Sequence, residues 1–372
     1  MTAKRGQTPL PSGATLGILG NGQLGRMLAL AAARLGYRTH VYGPETGSPA
    51  ELVTTAATVA AYEDEAALAA FAAAVDVITF EFENVPARSV AFLAEHALVR
   101  PSWRALEVAQ DRSKEKRFFA EIGAGTPPWR TVDSLADLEA ALRDIPPPAV
   151  LKTARFGYDG KGQVKLKQTS DAAAAWAQIG GERKTNSVSP YGVLEGFVDF
   201  TSEVSVIAAR GVDGTCVSFA PTANVHTNHI LATSTVPADI PAALAAQATE
   251  IACRAATTLD LIGLLAVEMF VTRDGRLLCN EMAPRPHNSG HWTMDGGGVD
   301  QFEMLVRAAM GLPLVAPAPV ADVTMVNLIG DDAHDLGRYL ADPNARLHLY
   351  GKAEARPGRK MGHVNIVRPK SR

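Results

Sequence analysis

Residues 264–284 read LLAVEMFVTRDGRLLCNEMAP, two apolar runs on either side of Asp274-Gly275. Asp-Gly between apolar runs signals a two-residue type I′ hairpin turn, because both central positions need positive φ. Arg273 then pairs with Arg276, and counting back along both strands sets Glu268 directly opposite Glu281. Two carboxylates facing each other on a largely buried sheet are destabilised by repulsion and desolvation. A divalent cation between them removes the conflict. Hard oxygen ligands favour Mg²⁺, which keeps several waters and bridges substrate phosphates. The competing reading leaves one glutamate exposed and pairs the other with Arg273 or Arg285.

Upstream, KTARFGYDGKGQ (152–163) places Gly157, Gly160 and Gly162 with Lys152 and Lys161 between two extended runs. Glycines let backbone N–H groups approach phosphate oxygens, and lysine adds a point charge. GxxxxGK[ST] is absent and a strand follows, so this is not a Walker A loop. An isolated loop of this kind is equally an ordinary glycine hairpin; the carboxylate hairpin downstream favours phosphate. EGFV (195–198) ends a strand, where backbone groups of Glu195, Gly196, Phe197 and Val198 are placed to hold an adenine edge, with Glu203 near a ribose hydroxyl.

Toward the N-terminus, strands at 15–19, 38–42 and 77–80 alternate with helical stretches after GNGQLG (20–25) and around 65–74. That spacing predicts a parallel α/β sheet. GNGQLG fits the GxGxxG dinucleotide fingerprint. The acid expected at the end of the second strand is missing, because Gly43 stands there and Glu45 follows Pro44. Beyond Pro146 to Pro148 the texture changes to a small α+β lid, then to strands around one helix (241–259).

A chain of 372 residues exceeds one ordinary core and predicts two or three domains. With 47% hydrophobic and 20% charged residues and a net charge of −3, it carries no overall basic face for nucleic acid. Three unclustered cysteines indicate neither a disulfide framework nor a zinc site, as in a reducing cytoplasm. The start does not read as a secretory signal. Apolar runs stay well short of the roughly 20 residues needed to span a bilayer, so no membrane is expected.

Taken in order, GNGQLGRML, EFENVP, DRSKEKRFF, FGYDGKGQ, EGFVDFTSEVSVIAARG, VEMF, NEMAPRPHNSGHWT and RPGRKMGHVN resemble the N5-carboxyaminoimidazole ribonucleotide synthases, ligases of the ATP-grasp superfamily. The resemblance runs from about residue 15 to 366. It implies an ATP-grasp fold of mixed α/β and α+β class: a flexible tail (1–14), a Rossmann-like pre-ATP-grasp domain (15–111), an ATP-grasp domain (112–312, lid about 149–200) and a C-terminal domain (313–372) closing the ribonucleotide site. It further implies a homodimer that converts ATP, bicarbonate and 5-aminoimidazole ribonucleotide to N5-carboxyaminoimidazole ribonucleotide, ADP and phosphate. The product would pass to a separate mutase.

Carried over position by position, the resemblance assigns the nucleotide to Arg112, Lys152, the loop Gly157, Tyr158, Asp159, Gly160, Lys161, Gly162 and Gln163, then Glu195 to Val198, Glu203, His226, Asn280 and Glu281. Glu268 and Glu281 match the magnesium ligands. Tyr158, Asp159 and Lys161 match positions that meet the ribonucleotide, and Lys352 and Arg359 those that hold its phosphate. Gln23 and Leu24 of the GNGQLG turn, with Glu83 across the cleft, are further substrate contacts. Arg285, His287 and Asn288 are candidates for holding bicarbonate or carboxyphosphate, since arginine suits a planar oxyanion, and Asp159 for orienting the amine. Many ATP-grasp proteins carry a third metal ligand two residues after the second glutamate; here that position is Ala283. Strand alternation turns the Asn280 side chain to the opposite face. Pro286 argues against His287 and His291 as a helical zinc pair, and His226 and His229 read as hydrogen-bonding residues.

Overall fold

The structure, a computed structural model, describes residues 9–155, 157, 162–181 and 190–370. Tyr158, Asp159, Gly160 and Lys161 lie outside the described residues, as do residues 1–8 of the expected tail. From Leu10 the chain is docked: Leu10 and Ala14 are buried, and the Leu10 N–H donates to Met310 O at 2.8 Å.

Three sheets carry the fold. β1 (Thr15–Leu19), β2 (Arg38–Gly43), β3 (Ala56–Val59) and β4 (Val77–Phe80) are parallel in the order β3-β2-β1-β4. Leu16, Ile18, Leu19, Val77, Ile78 and Phe80 are all fully buried, as expected of strands covered on both faces. β3 escapes sequence reading because it is a short, mostly exposed edge with no apolar pattern.

β5 (Trp129–Val132), β6 (Ala149–Thr153), β7 (Gln163–Leu166) and β8 (Gly192–Gly196) form an antiparallel sheet, order β5-β8-β6-β7. Helices Leu135–Asp144 and Ala172–Gln178 supply Leu138, Leu142 and Trp176 to the core beneath it.

The third sheet has nine strands. They are β9 (Phe200–Arg210), β10 (Cys216–Ser218), β11 (Thr222–Thr227), β12 (Ile230–Val236), β13 (Gly263–Thr272), β14 (Leu277–Ala283), β15 (Ala321–Ile329), β16 (Ala345–Leu349) and β17 (Lys360–Pro369). The order is β14-β13-β9-β11-β12-β15-β17-β16, with β10 on β9. Helix Ala242–Thr258 packs through Ala248, Ala252, Ala255 and Ala256, small side chains that allow close approach. Among the described residues no helix is long and apolar enough to cross a membrane.

The β13–β14 hairpin pairs Glu268 with Glu281, as the sequence predicts, by a different route. The turn is a three-residue loop: the Thr272 N–H donates to Arg276 O at 2.9 Å and the Gly275 N–H to Thr272 O at 3.0 Å. Gly275 alone takes the left-handed conformation, φ 78°, as in a type I turn closed by a left-handed residue. That shifts the register by one, and Met269 faces Cys279. A bulge then restores it, with Asn280 as the extra residue. Bulges re-aim side chains, and Asn280 points into the cleft instead of away from it.

Candidate active site

The three sheets enclose one cleft of about 1090 Å³, reached by Glu268 and Glu281 from β13 and β14, Lys152 from β6 and Glu195 from β8. Glu268 is 14% exposed and Glu281 44%, so the desolvation argued from sequence bears mainly on Glu268. Neither pairs with Arg273 or Arg285: Arg273 bonds Asp199 and Arg285 bonds Glu83. Glu268 Oε1 instead lies 3.1 Å from His287 Nε2, and Glu281 Oε2 lies 3.4 Å from Arg112 Nη1. Burial raises the Glu268 carboxyl, but the hydrogen bond and charge of His287, with His226 and Lys360, outweigh it and bring it down to about 2. Two opposed carboxylates with one edge open to the cleft suit Mg²⁺, which takes one or two protein carboxylates and completes its shell with water and phosphate. Among the described residues no cluster of three His, Cys, Asp or Glu makes a protein-only cage.

Beneath the pair lies a charge network in which Glu115 and Lys116, present in DRSKEKRFF but given no role from sequence, join Arg112, Lys152 and Glu195. Helix Arg112–Glu121 carries Arg112, Glu115 and Lys116 on one face, a spacing that a solvated face would share. Here the face is buried. Lys116 is fully buried; its Nζ donates to Asn280 O at 2.8 Å and lies 3.4 Å from Glu195 Oε2. Lys152 Nζ reaches the same oxygen at 3.0 Å and Asn280 Oδ1 at 3.5 Å. Burial raises the Glu195 carboxyl, yet Lys116, Lys152 and Arg112 hold it down at about 2. Burial lowers the Lys152 ammonium despite Glu195. Glu115 accepts the Met282 N–H at 2.6 Å, and burial pushes its carboxyl up to about 8.

The glycine loop joins this network at its described ends. Gly157 O accepts from Arg112 Nη2 at 3.4 Å. Gly162 has φ 70°, and a Cβ there would lie 2.6 Å from Thr153 Oγ1, so only glycine closes the turn. Gln163 lines the cleft with Phe197 and Val198. The N–H groups of Gly196 and Phe197 are committed to Pro128 O and Pro148 O, which withdraws those two donors from an adenine edge. Glu203 Oε2 lies 2.7 Å from His226 Nδ1, and that carboxylate raises the His226 imidazole against the lowering effect of burial.

At the far end Gln23, Leu24, Glu83, Lys352 and Arg359 line the same cleft, joined by Lys360, which sequence reading passed over inside RPGRK. Burial, with Arg359 and Lys360 alongside, lowers the Lys352 ammonium to about 8. Glu83 takes Arg285 Nε at 3.1 Å, so these two candidates hold each other. Glu81, not Glu83, enters the GNGQLG turn: its Oε1 accepts the Gly22 N–H at 2.8 Å. A Cβ on Gly20 would lie 2.6 Å from that oxygen. The carboxylate thus occupies the helix N-terminus where a dinucleotide's pyrophosphate would bind, which argues against dinucleotide binding at GNGQLG. Gly43 is glycine for a related reason, since a Cβ there would lie 2.6 Å from Asn21 Cγ.

Asn288 follows His287 into the cleft, and its Oδ1 and Nδ2 are buried without a hydrogen-bond partner among the described residues.

Comparison with known proteins agrees with this geometry. The ATP-grasp domain model matches residues 117–302, the ribonucleotide synthetase preATP-grasp domain residues 13–110, and the phosphoribosylaminoimidazole carboxylase C-terminal domain residues 323–372. The N5-carboxyaminoimidazole ribonucleotide synthase of Brucella melitensis is 50% identical over 367 residues, 98% of this chain and 99% of that protein. The one from Bacillus subtilis is 40% identical, covering 96% and 92%. A solved ADP complex of an N5-carboxyaminoimidazole ribonucleotide synthetase matches with TM-score 0.92 at 40% identity, covering 97% of this chain and 94% of that one. The Aspergillus clavatus enzyme in complex with ADP and 5-aminoimidazole ribonucleotide matches with TM-score 0.88 at 28% identity, covering 96% and 95%. The chain belongs to the N5-carboxyaminoimidazole ribonucleotide synthase family of ATP-grasp ligases.

Proposed function

We infer that this protein carboxylates the exocyclic amine of 5-aminoimidazole ribonucleotide with ATP and bicarbonate, giving N5-carboxyaminoimidazole ribonucleotide, ADP and phosphate in purine biosynthesis. One observation carries the reading: a single cleft joins the opposed carboxylates Glu268 and Glu281 to the cations Lys352, Arg359 and Lys360. The first end suits a nucleotide triphosphate with Mg²⁺, the second a ribonucleotide phosphate.

Glu268 and Glu281 would hold Mg²⁺, which when bound offsets charge on the β- and γ-phosphates. Arg112 and Lys152 flank the phosphates and stabilise charge as bicarbonate oxygen attacks the γ-phosphorus and ADP leaves. The carboxyphosphate so formed then releases phosphate, and the amine attacks the carbon as CO₂ and loses a proton. His287 and the unpartnered amide of Asn288 face the place where that oxyanion forms; Arg285 joins them once it exchanges Glu83 for substrate. Asp159 is assigned to the amine by resemblance. A closed cleft protects the intermediate from water.

The reading includes domains at 15–111, 112–312 and 313–372, a homodimer, a cytoplasmic location and transfer of the product to a separate mutase. ADP release with bicarbonate, measured with and without 5-aminoimidazole ribonucleotide, tests it. Strong stimulation is expected. No stimulation would leave a different ATP-grasp ligase acting on another ribonucleotide or carboxylate.

A further inference from the structure

Three cysteines are scattered along the sequence, and the fold brings two of them together. Cys216 stands on the short strand β10 and Cys253 in helix Ala242–Thr258, 37 residues further on. Cys216 Sγ lies 4.0 Å from the Cys253 carbonyl oxygen, and its thiol hydrogen-bonds the Cys253 thiol. Both cysteines are free and half-buried at the border of one apolar cluster. Cys279, the third, is fully buried inside that cluster.

The two thiols are not equivalent. Their hydrogen bond, together with burial, raises the Cys216 thiol, with Arg210 acting the other way. The same bond lowers the Cys253 thiol against the effect of burial. Thiolate is the nucleophilic form of cysteine, so Cys253 is the sulfur that attacks first and Cys216 the one that follows. Two sulfurs in direct contact meet a first requirement for a disulfide, that the side chains point at each other.

The pair also lies on the far side of the sheet from the cleft. Glu268 lines the cleft, whereas its neighbours on β13, Val267 and Met269, pack in the cluster that Cys216 and Cys253 border. Successive strand residues point to opposite faces, so a bond between the two cysteines forms without entering the cleft.

We propose that Cys216 and Cys253 are a reversible dithiol–disulfide site that reacts with low-molecular-weight disulfides and, once oxidised, ties β10 to helix Ala242–Thr258. The Cys253 thiolate attacks one sulfur of the small disulfide and expels the other half as a thiolate, which takes up the proton that Cys253 gave up. Cys216 then loses its proton, attacks Cys253 Sγ in the mixed disulfide and expels the second half, which takes that proton. One S–S bond breaks and one forms; two cysteines are oxidised and two small thiols released. A half-exposed disulfide stays open to thiolate attack, so a thiol reductant restores the pair.

The test treats the folded, reduced protein with bis(hydroxyethyl) disulfide and reads its intact mass after an acid quench. The wild type is expected to lose the mass of two hydrogen atoms, to yield peptides joined through Cys216 and Cys253, and to regain that mass with dithiothreitol. Its melting temperature is expected to rise on oxidation, because the bond closes a loop in the unfolded chain. Cys216→Ser is expected to stop at one mixed disulfide on Cys253, and Cys253→Ser to stay unmodified. A wild type that stays reduced, stops at mixed disulfides, or links through Cys279 or between chains overturns the proposal. So does an oxidised form that melts below the reduced one. The wild-type mass and peptide map decide the matter even if a serine variant does not fold. The reaction needs neither nucleotide nor ribonucleotide, so its outcome is separate from that of the function inferred above.

Discussion

Glu268 and Glu281 face each other across β13 and β14 only because two local irregularities cancel, a three-residue turn and a bulge at Asn280. The bulge brings the Asn280 carbonyl to Lys116 and its side chain to Lys152. The turn rests on Gly275 at φ 78°, with nothing within 4 Å of a Cβ built there. Gly275→Ala is therefore expected to cost about 1 kcal/mol, from left-handed backbone alone. Urea denaturation checks the loss, and ATP turnover should stay near wild type.

Gly20 is the contrasting case. It has φ 105°, and a Cβ there would fall on the Glu81 carboxylate. Gly20→Ala should cost about 1–3 kcal/mol for conformation plus the displacement of Glu81. A fall in melting temperature larger than that of Gly275→Ala is expected.

Two lysines share one oxygen of Glu195, and they are expected to separate by function. Lys152→Met should abolish ATP turnover with most stability kept, because Lys116 still neutralises Glu195. Lys116→Met should cost about 3 kcal/mol, the lower end for breaking a buried pair, because Lys116 is fully buried and also holds the Asn280 carbonyl. Glu195 is held at about 2, below its unfolded value of about 4.3. Its contribution is full above the unfolded value and is lost as pH falls through it toward 2. Urea midpoints between pH 6 and 3 should accordingly drop less steeply in Lys116→Met than in the wild type.

Lys352, lowered to about 8 by burial and by Arg359 and Lys360, loses its charge as pH rises through that value. KM for 5-aminoimidazole ribonucleotide should rise above pH 8 while kcat changes less. Lys352→Gln should raise KM about tenfold, a loss near 1.4 kcal/mol, and remove that pH dependence. Initial rates across pH 7–9 measure both.

Much of the site was legible in the sequence because its parts are local. Asp274-Gly275 placed the hairpin that sets Glu268 opposite Glu281. Side-chain placement across strands was less legible. Asn280 was assigned the wrong face because a bulge leaves no mark in an apolar–polar pattern. The part of Glu81 was not legible, because nothing in EFENVP says which carboxylate turns toward the GNGQLG glycines. Lys116 sits in a run of charges that looks solvated, and Ser205, Asn224, Ser234 and Ser289 behind His287 come from four separate segments. These depend on contacts between residues far apart in the chain.

The opposed carboxylates are the centre of the account, and Glu281→Gln tests them most directly. It removes the charge facing Glu268 while keeping shape, at a residue with 44% of its side chain exposed, so folding should survive. Mg²⁺-dependent ADP release by the folded variant is predicted to fall by at least about 10²- to 10³-fold, the scale for losing one electrostatic stabiliser of a transition state. Release near the wild-type rate, with the circular dichroism spectrum unchanged, would contradict the assignment of Glu268 and Glu281 to the metal.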